Sequence, residues 1–122
     1  MGAKRRVVII DDEAAFAETL TKMVKSFGFD VTVSTDARSS YTFDLKTSDI
    51  VFVDVLMPNV SGIQVLEKLA QQKAKSSVVL MSGNLERLEE AEKLARKLEL
   101  NLVGSLEKPF RIEDVKDVLL GS

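Results

Sequence analysis

The residues able to do chemistry are few and sit at particular places. Asp11, Asp12 and Glu13 follow the apolar run Val7 to Ile10, and Asp54 closes the run Ile50 to Val53. Ser82 follows Val78 to Met81, and Glu107, Lys108 and Pro109 follow Leu102 to Leu106. If the strand ends share one edge, that edge collects carboxylates, a hydroxyl and an amine. Asp11, Asp12 and Asp54 converging in one crevice would repel one another unless a cation neutralised them. Mg²⁺ suits such an oxygen-only set, because it takes one or two carboxylates with water and phosphate oxygens and needs neither His nor Cys. Asp54 with Mg²⁺, Lys108 and Ser82 makes a site for phosphoryl transfer to a carboxylate. Charge developing on phosphoryl oxygens calls for a metal, a lysine and a donor hydroxyl.

Composition supports this by exclusion. The 122 residues contain no Cys and no His, which removes disulfides, thiolate nucleophiles, Ser-His-Asp triads and Cys- or His-ligated metals. Seventeen Lys and Arg against nineteen Asp and Glu leave a net charge of −2, so no broad positive field attracts nucleic acid or an anionic membrane. Lys4, Arg5 and Arg6 read as a solvated strand flank. The apolar runs fall far short of the roughly 20 residues of a membrane helix, and the N-terminus lacks a signal-peptide hydrophobic stretch. The expectation is a cytoplasmic protein with no nucleic-acid or membrane partner.

The elements that must position these side chains are legible. Short β-branched runs at Val7 to Ile10, Val31 to Val33, Ile50 to Val53, Val78 to Met81 and Leu102 to Leu106 are each followed by helical spacing, which predicts five strand-helix units. Phe16, Leu20, Val24 and Phe27 make the first helical stripe, ending at Gly28 as a left-handed cap. Ala37, Tyr41 and Leu45 behind Asp36 make a second, weaker one. The third starts at Ser61 with Gln64 in a capping-box pattern and buries Ile63, Leu66, Leu69 and Ala70. The fourth carries Leu85, Leu88, Ala91, Leu94, Ala95 and Leu98, with Glu89–Lys93 and Glu92–Arg96 as i,i+4 pairs. The fifth opens on Glu113 and Asp114 and packs Ile112, Val115, Val118 and Leu119. Alternating strands and helices predict a doubly wound α/β sandwich with a mostly parallel sheet, whose ligand site lies at the carboxyl ends of the strands.

Asp11-Asp12 after the first strand, Asp54 followed by Met57-Pro58 and Gly62, Ser82 after the fourth and Lys108-Pro109-Phe110 after the fifth resemble the receiver domain of two-component response regulators. The resemblance spans essentially the whole chain. It implies a flavodoxin-like sandwich, a five-stranded parallel sheet ordered 2-1-3-4-5, with two of its five helices on one face and three on the other. It further implies that Asp54 accepts phosphate from a histidine kinase or phosphotransfer protein. Asp12 and Asp54 would ligate Mg²⁺ directly, Asp11 through water, and the Leu56 carbonyl would add a ligand. Lys108 would pair with the phosphoryl group, Ser82 would turn inward to it, and Lys108-Pro109 would be cis. Residues 1–122 would be a single stand-alone receiver, a phosphoacceptor rather than an enzyme, docking a downstream target near its fourth helix, fifth strand and fifth helix.

Each residue also has a plainer reading. Asp12 would serve as a helix N-cap, and Ser82 or Asn84 as the cap of the fourth helix. Asp54 has less excuse, since Asp is disfavoured in strands and costly when buried. Met57-Pro58, Gly62 and Phe110 read as structural: a loop stop, a tight backbone position and a core aromatic. Many receivers carry Tyr or Phe where this chain has Ser105, so its readout is expected to run through the loop after Ser82. An aspartyl-phosphate phosphatase would want a second Asp at Leu56, and a flavin carrier a Gly-, Ser- or Thr-rich first loop rather than three acids. A module of the same fold that signals without phosphorylation is the nearest rival.

Overall fold

A computed structural model of the chain describes residues 5–36, 45–47, 49–57 and 62–120. Five strands form one parallel sheet: β1 (Arg6–Ile10), β2 (Asp30–Ser34), β3 (Ile50–Asp54), β4 (Ser77–Ser82) and β5 (Asn101–Glu107), in the order β2-β1-β3-β4-β5. That is the order the resemblance implies, and each strand contains the apolar run that predicted it. The four described helices are α1 (Ala14–Ser26), α2 (Gly62–Gln71), α3 (Leu85–Lys97) and α4 (Ile112–Leu120). Five helices were expected; the stripe Ala37 to Tyr41 lies outside the described residues, as does the Ser61 cap. Leu45, the last residue of that stripe, is described and is not helical; it packs half-buried on the α2 and α3 side.

The central strands are apolar throughout because both faces are covered. Val8, Ile10, Val51, Val53, Val78 and Leu80 pack under α2 and α3, meeting Val65, Leu66, Leu88 and Ala91. Val7, Ile9, Ile50, Phe52, Val79 and Met81 pack under α1 and α4, meeting Ala17, Leu20, Val24, Val115 and Leu119. Period-two alternation thus sends successive apolar residues to two different layers, which is why no polar residue interrupts the apolar runs of β1, β3 and β4. Gly28 takes φ 91° just after α1, the left-handed cap its position predicted.

The ladder between β4 and β5 slips. Val78 faces Leu102 but Val79 faces Gly104, so Val103 is an extra residue on β5. Beyond it Gly104 lies against α4, where an added Cβ would stand 2.7 Å from Val118 Cγ1.

At the amino end of the sheet Arg6 departs from the solvated flank predicted for it. Its guanidinium lies 2.6 Å from Asp49 Oδ2, and the Lys46 N–H donates to the same oxygen at 2.8 Å. Burial pushes the Asp49 carboxyl up, but Arg6 and the Lys46 N–H outweigh it and hold it below the usual carboxylate range. The i,i+4 pairs predicted on α3 give way to Arg87–Glu90 at 3.5 Å, while Glu92 accepts a hydrogen bond from Ser105 Oγ at 2.7 Å. A half-buried hydroxyl on the adjacent strand offers Glu92 a fixed donor, whereas an exposed i,i+4 pair gains only a few tenths of a kcal/mol.

Candidate functional site

Because every strand points the same way, the residues that end β1, β3, β4 and β5 arrive at one edge. Asp11 directly follows β1 and is fully buried; its N–H donates to the Ser34 carbonyl, and its Oδ1 accepts from the Glu13 N–H at 2.9 Å. That turn starts α1, so Glu13 rather than Asp12 is the N-cap residue, and Asp12 is left facing an open cavity. Asp54 is the last residue of β3, only 5% exposed, with Oδ1 accepting the Leu56 N–H at 3.2 Å. Asp11, Asp12 and Asp54 each bring a carboxylate oxygen within 4.8 Å of the others.

Lys108 answers that cluster. Its Nζ lies 2.8 Å from Asp11 Oδ2 and 3.4 Å from Asp54 Oδ2, and the Lys108-Pro109 bond is cis, as the resemblance implied. The backbone N–H of Lys108 also donates to the Ser82 carbonyl at 2.8 Å, tying the β5 exit to that of β4. Burial first and the Asp11 charge second outweigh the pull of Lys108 and the Leu56 N–H, and together they leave the Asp54 carboxyl pushed up to about 7. Burial alone would lower Lys108, yet the Asp11 hydrogen bond and the two carboxylate charges keep its ammonium above the usual value.

An open cavity of about 410 Å³ gives access, lined by Asp12, Glu13, Asp54, Leu56, Gly83 and Lys108. Leu56, 46% exposed, stands on its lip. Ser82 is fully buried beside the cavity, where its Oγ accepts the Asn84 N–H at 3.0 Å. Asn84 is the cap of α3, its Oδ1 accepting from Arg87 N at 3.1 Å, so of the two candidates for that duty Ser82 is released. Gly62 holds a close backbone approach: an added Cβ would stand 2.6 Å from Val55 Cα and 2.7 Å from the Asp54 carbonyl oxygen. Phe16 also reaches the site: its ring lies under the lysine, 3.9 Å from Nζ to the centroid. Its place in a helical stripe marked it only as core.

Residues 7–120 match the model of the response regulator receiver domain. The chain belongs to that family. A response regulator from Colwellia psychrerythraea superposes with a TM-score of 0.89 at 31% identity, covering 98% of this chain and 96% of that one. The chemotaxis protein CheY4 of Vibrio cholerae, at 19% identity and TM-score 0.79 over 98% of each chain, shares the receiver fold. Among curated relatives, the transcriptional regulatory protein FixJ of Bradyrhizobium diazoefficiens is 30% identical over 90% of this chain, and TdiR of Thauera aromatica 29% over 97%. The chain spans about half the length of those relatives, 52% and 51%. Among the described residues of this receiver no helix is long and apolar enough to cross a membrane.

Proposed function

We propose that this receiver accepts a phosphoryl group on Asp54 from a histidine kinase or phosphotransfer protein, with Mg²⁺ bound beside it, and thereby switches a surface that a downstream target reads. The observation that carries the reading is the pairing of Asp54, buried at a strand end, with the Lys108 ammonium 3.4 Å away inside an acidic cluster. A purely structural carboxylate there would cost stability with no return.

The donor set fits a hard cation, being three carboxylates with oxygens within 4.8 Å and one lysine to share their charge. Asp12 and Asp54 would hold Mg²⁺ directly, Asp11 through water, and the Leu56 carbonyl would supply a backbone ligand. When bound, the ion neutralises the phosphoryl oxygens and the carboxylates together. One Asp54 oxygen attacks phosphorus as the P–N bond of the donor phosphohistidine breaks and the imidazole leaves with the partner. The chain has no His, so that donor lies outside it. Lys108 then trades its contact with Asp54 for the phosphoryl oxygens, and Ser82 turns its hydroxyl to them. Ser82 also holds the Asn84 N–H, so its rotation is felt at the start of α3. The face of α3, β5 and α4 presents the change to a cytoplasmic protein target, with no nucleic-acid or membrane contact of its own. The receiver acts as a phosphoacceptor, not as an enzyme turning over a substrate.

Intact-mass spectrometry after incubation with a small-molecule phosphodonor tests this, with and without Mg²⁺, on wild type and Asp54→Asn. One added phosphoryl group, Mg²⁺-dependent and absent from the variant, is expected. A folded wild type that gains none sinks the proposal in favour of a module that signals without phosphorylation.

A further inference from the structure

We infer that Phe16 is a positioning residue for Lys108, holding the ammonium inside the cavity while the phosphoryl group arrives. The inference rests on Asp54 being the phosphoacceptor. Lys108 Nζ is bounded on three sides: Asp11 Oδ2 at 2.8 Å, Asp54 Oδ2 at 3.4 Å and the face of the Phe16 ring at 3.9 Å from its centroid. The ring is itself held, because Phe110 packs edge-to-face on it with centroids 5.4 Å apart and planes at 89°. Phe110 follows Lys108 by two residues, so the loop that carries the lysine also fixes the surface on which its ammonium rests.

The three contacts behave differently when the phosphoryl group enters. The Asp54 oxygen that bonds phosphorus loses its charge, and its hold on the ammonium falls. Asp11 remains, but as a buried carboxylate it draws the ammonium toward the floor of the site, away from the incoming group. The ring attracts a cation through the negative potential of its face, carries no net charge, and neither titrates nor binds a metal. It offers a surface on which the ammonium can pivot from carboxylate to phosphoryl oxygen without leaving for water. A lysine on a four-carbon stem with that wall removed has far more positions to visit, and orientation is what a group stabilising transferred charge must supply.

The test uses the full chain with acetyl phosphate and Mg²⁺, labelling followed by intact mass, for wild type, Phe16→Leu and Phe16→Tyr. Phe16→Leu keeps apolar bulk but loses the ring, and labelling is expected to slow about fivefold. Phe16→Tyr keeps the ring and is expected to label within about twofold of wild type. In a Lys108→Met background, Phe16→Leu is expected to add no further loss, since the ring acts through the ammonium. Independently of labelling, the upfield ring-current shift of the Lys108 ε-methylene protons is expected to vanish in Phe16→Leu and persist in Phe16→Tyr. A folded Phe16→Leu that labels at the wild-type rate overturns the inference, as does a loss that survives in Lys108→Met. A wild type that takes no label removes the phosphoacceptor reading and, with it, any positioning role in transfer. The ring-current shift would then report the contact alone.

Discussion

Replacing Asp54 by Asn should stabilise the metal-free protein, and by an amount that grows with pH. The carboxyl has its pKa raised to about 7 in the folded state against 3.8 in the unfolded chain. Between those values the folded protein holds a proton that the unfolded chain has lost, so stability falls as pH rises, and the deficit is complete above pH 7. Below pH 3.8 both states are protonated and the deficit vanishes. Each pKa unit is worth about 1.4 kcal/mol, so between pH 5 and pH 8 the two units still to be traversed add about 3 kcal/mol to the advantage of Asn. Rearrangement around an ionised Asp54 would bring this nearer 2 kcal/mol. Lys108 stays charged throughout, and groups that titrate alike in both proteins cancel from the difference. Urea unfolding of wild type and Asp54→Asn in EDTA at pH 5, 6, 7 and 8 measures it. A stability difference that stays flat or shrinks with pH would refute the account of Asp54 as a buried carboxylate crowded by Asp11 and incompletely matched by Lys108.

Three further perturbations separate other parts of the structure. Gly62→Ala gains about 1 kcal/mol of helix propensity but forces a methyl to within 2.6 Å of Val55 Cα, so a net loss of about 1–3 kcal/mol in urea is expected, with slower Asp54 labelling. Asp49, held below the usual carboxylate pKa, contributes stability above pH 3.8 that is lost as pH falls through its lowered folded value. Arg6→Met should therefore cost about 1–3 kcal/mol at pH 7 and flatten the acid limb of an unfolding series from pH 6 to pH 2. Asn84→Ala removes the cap of α3 and should cost about 1 kcal/mol, with faster amide exchange confined to residues 85–88.

The central strands β1, β3 and β4 were readable because they are buried on both faces: a run such as Ile50 to Val53 with no polar interruption has little alternative, and Asp54 at its end stands out against that background. The acidic first loop, Ser82 and Lys108 were readable for the same reason, as the polar residues nearest to apolar runs. What the sequence hid were partnerships between distant segments. Arg6 and Asp49 are 43 residues apart and neither alone signals burial. Glu92 has a well-placed i,i+4 partner in Arg96, and only the packing of α3 on β5 shows that Ser105 displaces it. Phe16 satisfies a helical stripe and an ammonium at once, and spacing reports only the first.

The single extra residue in β5 has a consequence for how position 105 is compared between receivers. Leu102 points to the α2 and α3 layer, while Val103 and Gly104 both serve the α4 layer. From there the side-chain phase is inverted, so that Ser105 meets Glu92 on α3 and Leu106 enters the opposite layer. Counting back three residues from the lysine crosses no irregularity and reaches the α3 side with or without the extra residue, because the slip lies before Gly104. In a receiver whose fifth strand runs unbroken, a residue matched by counting forward from Leu102 would address α4 instead. A substitution at 105 transplanted by that forward count would then change the layer it touches as well as the side chain.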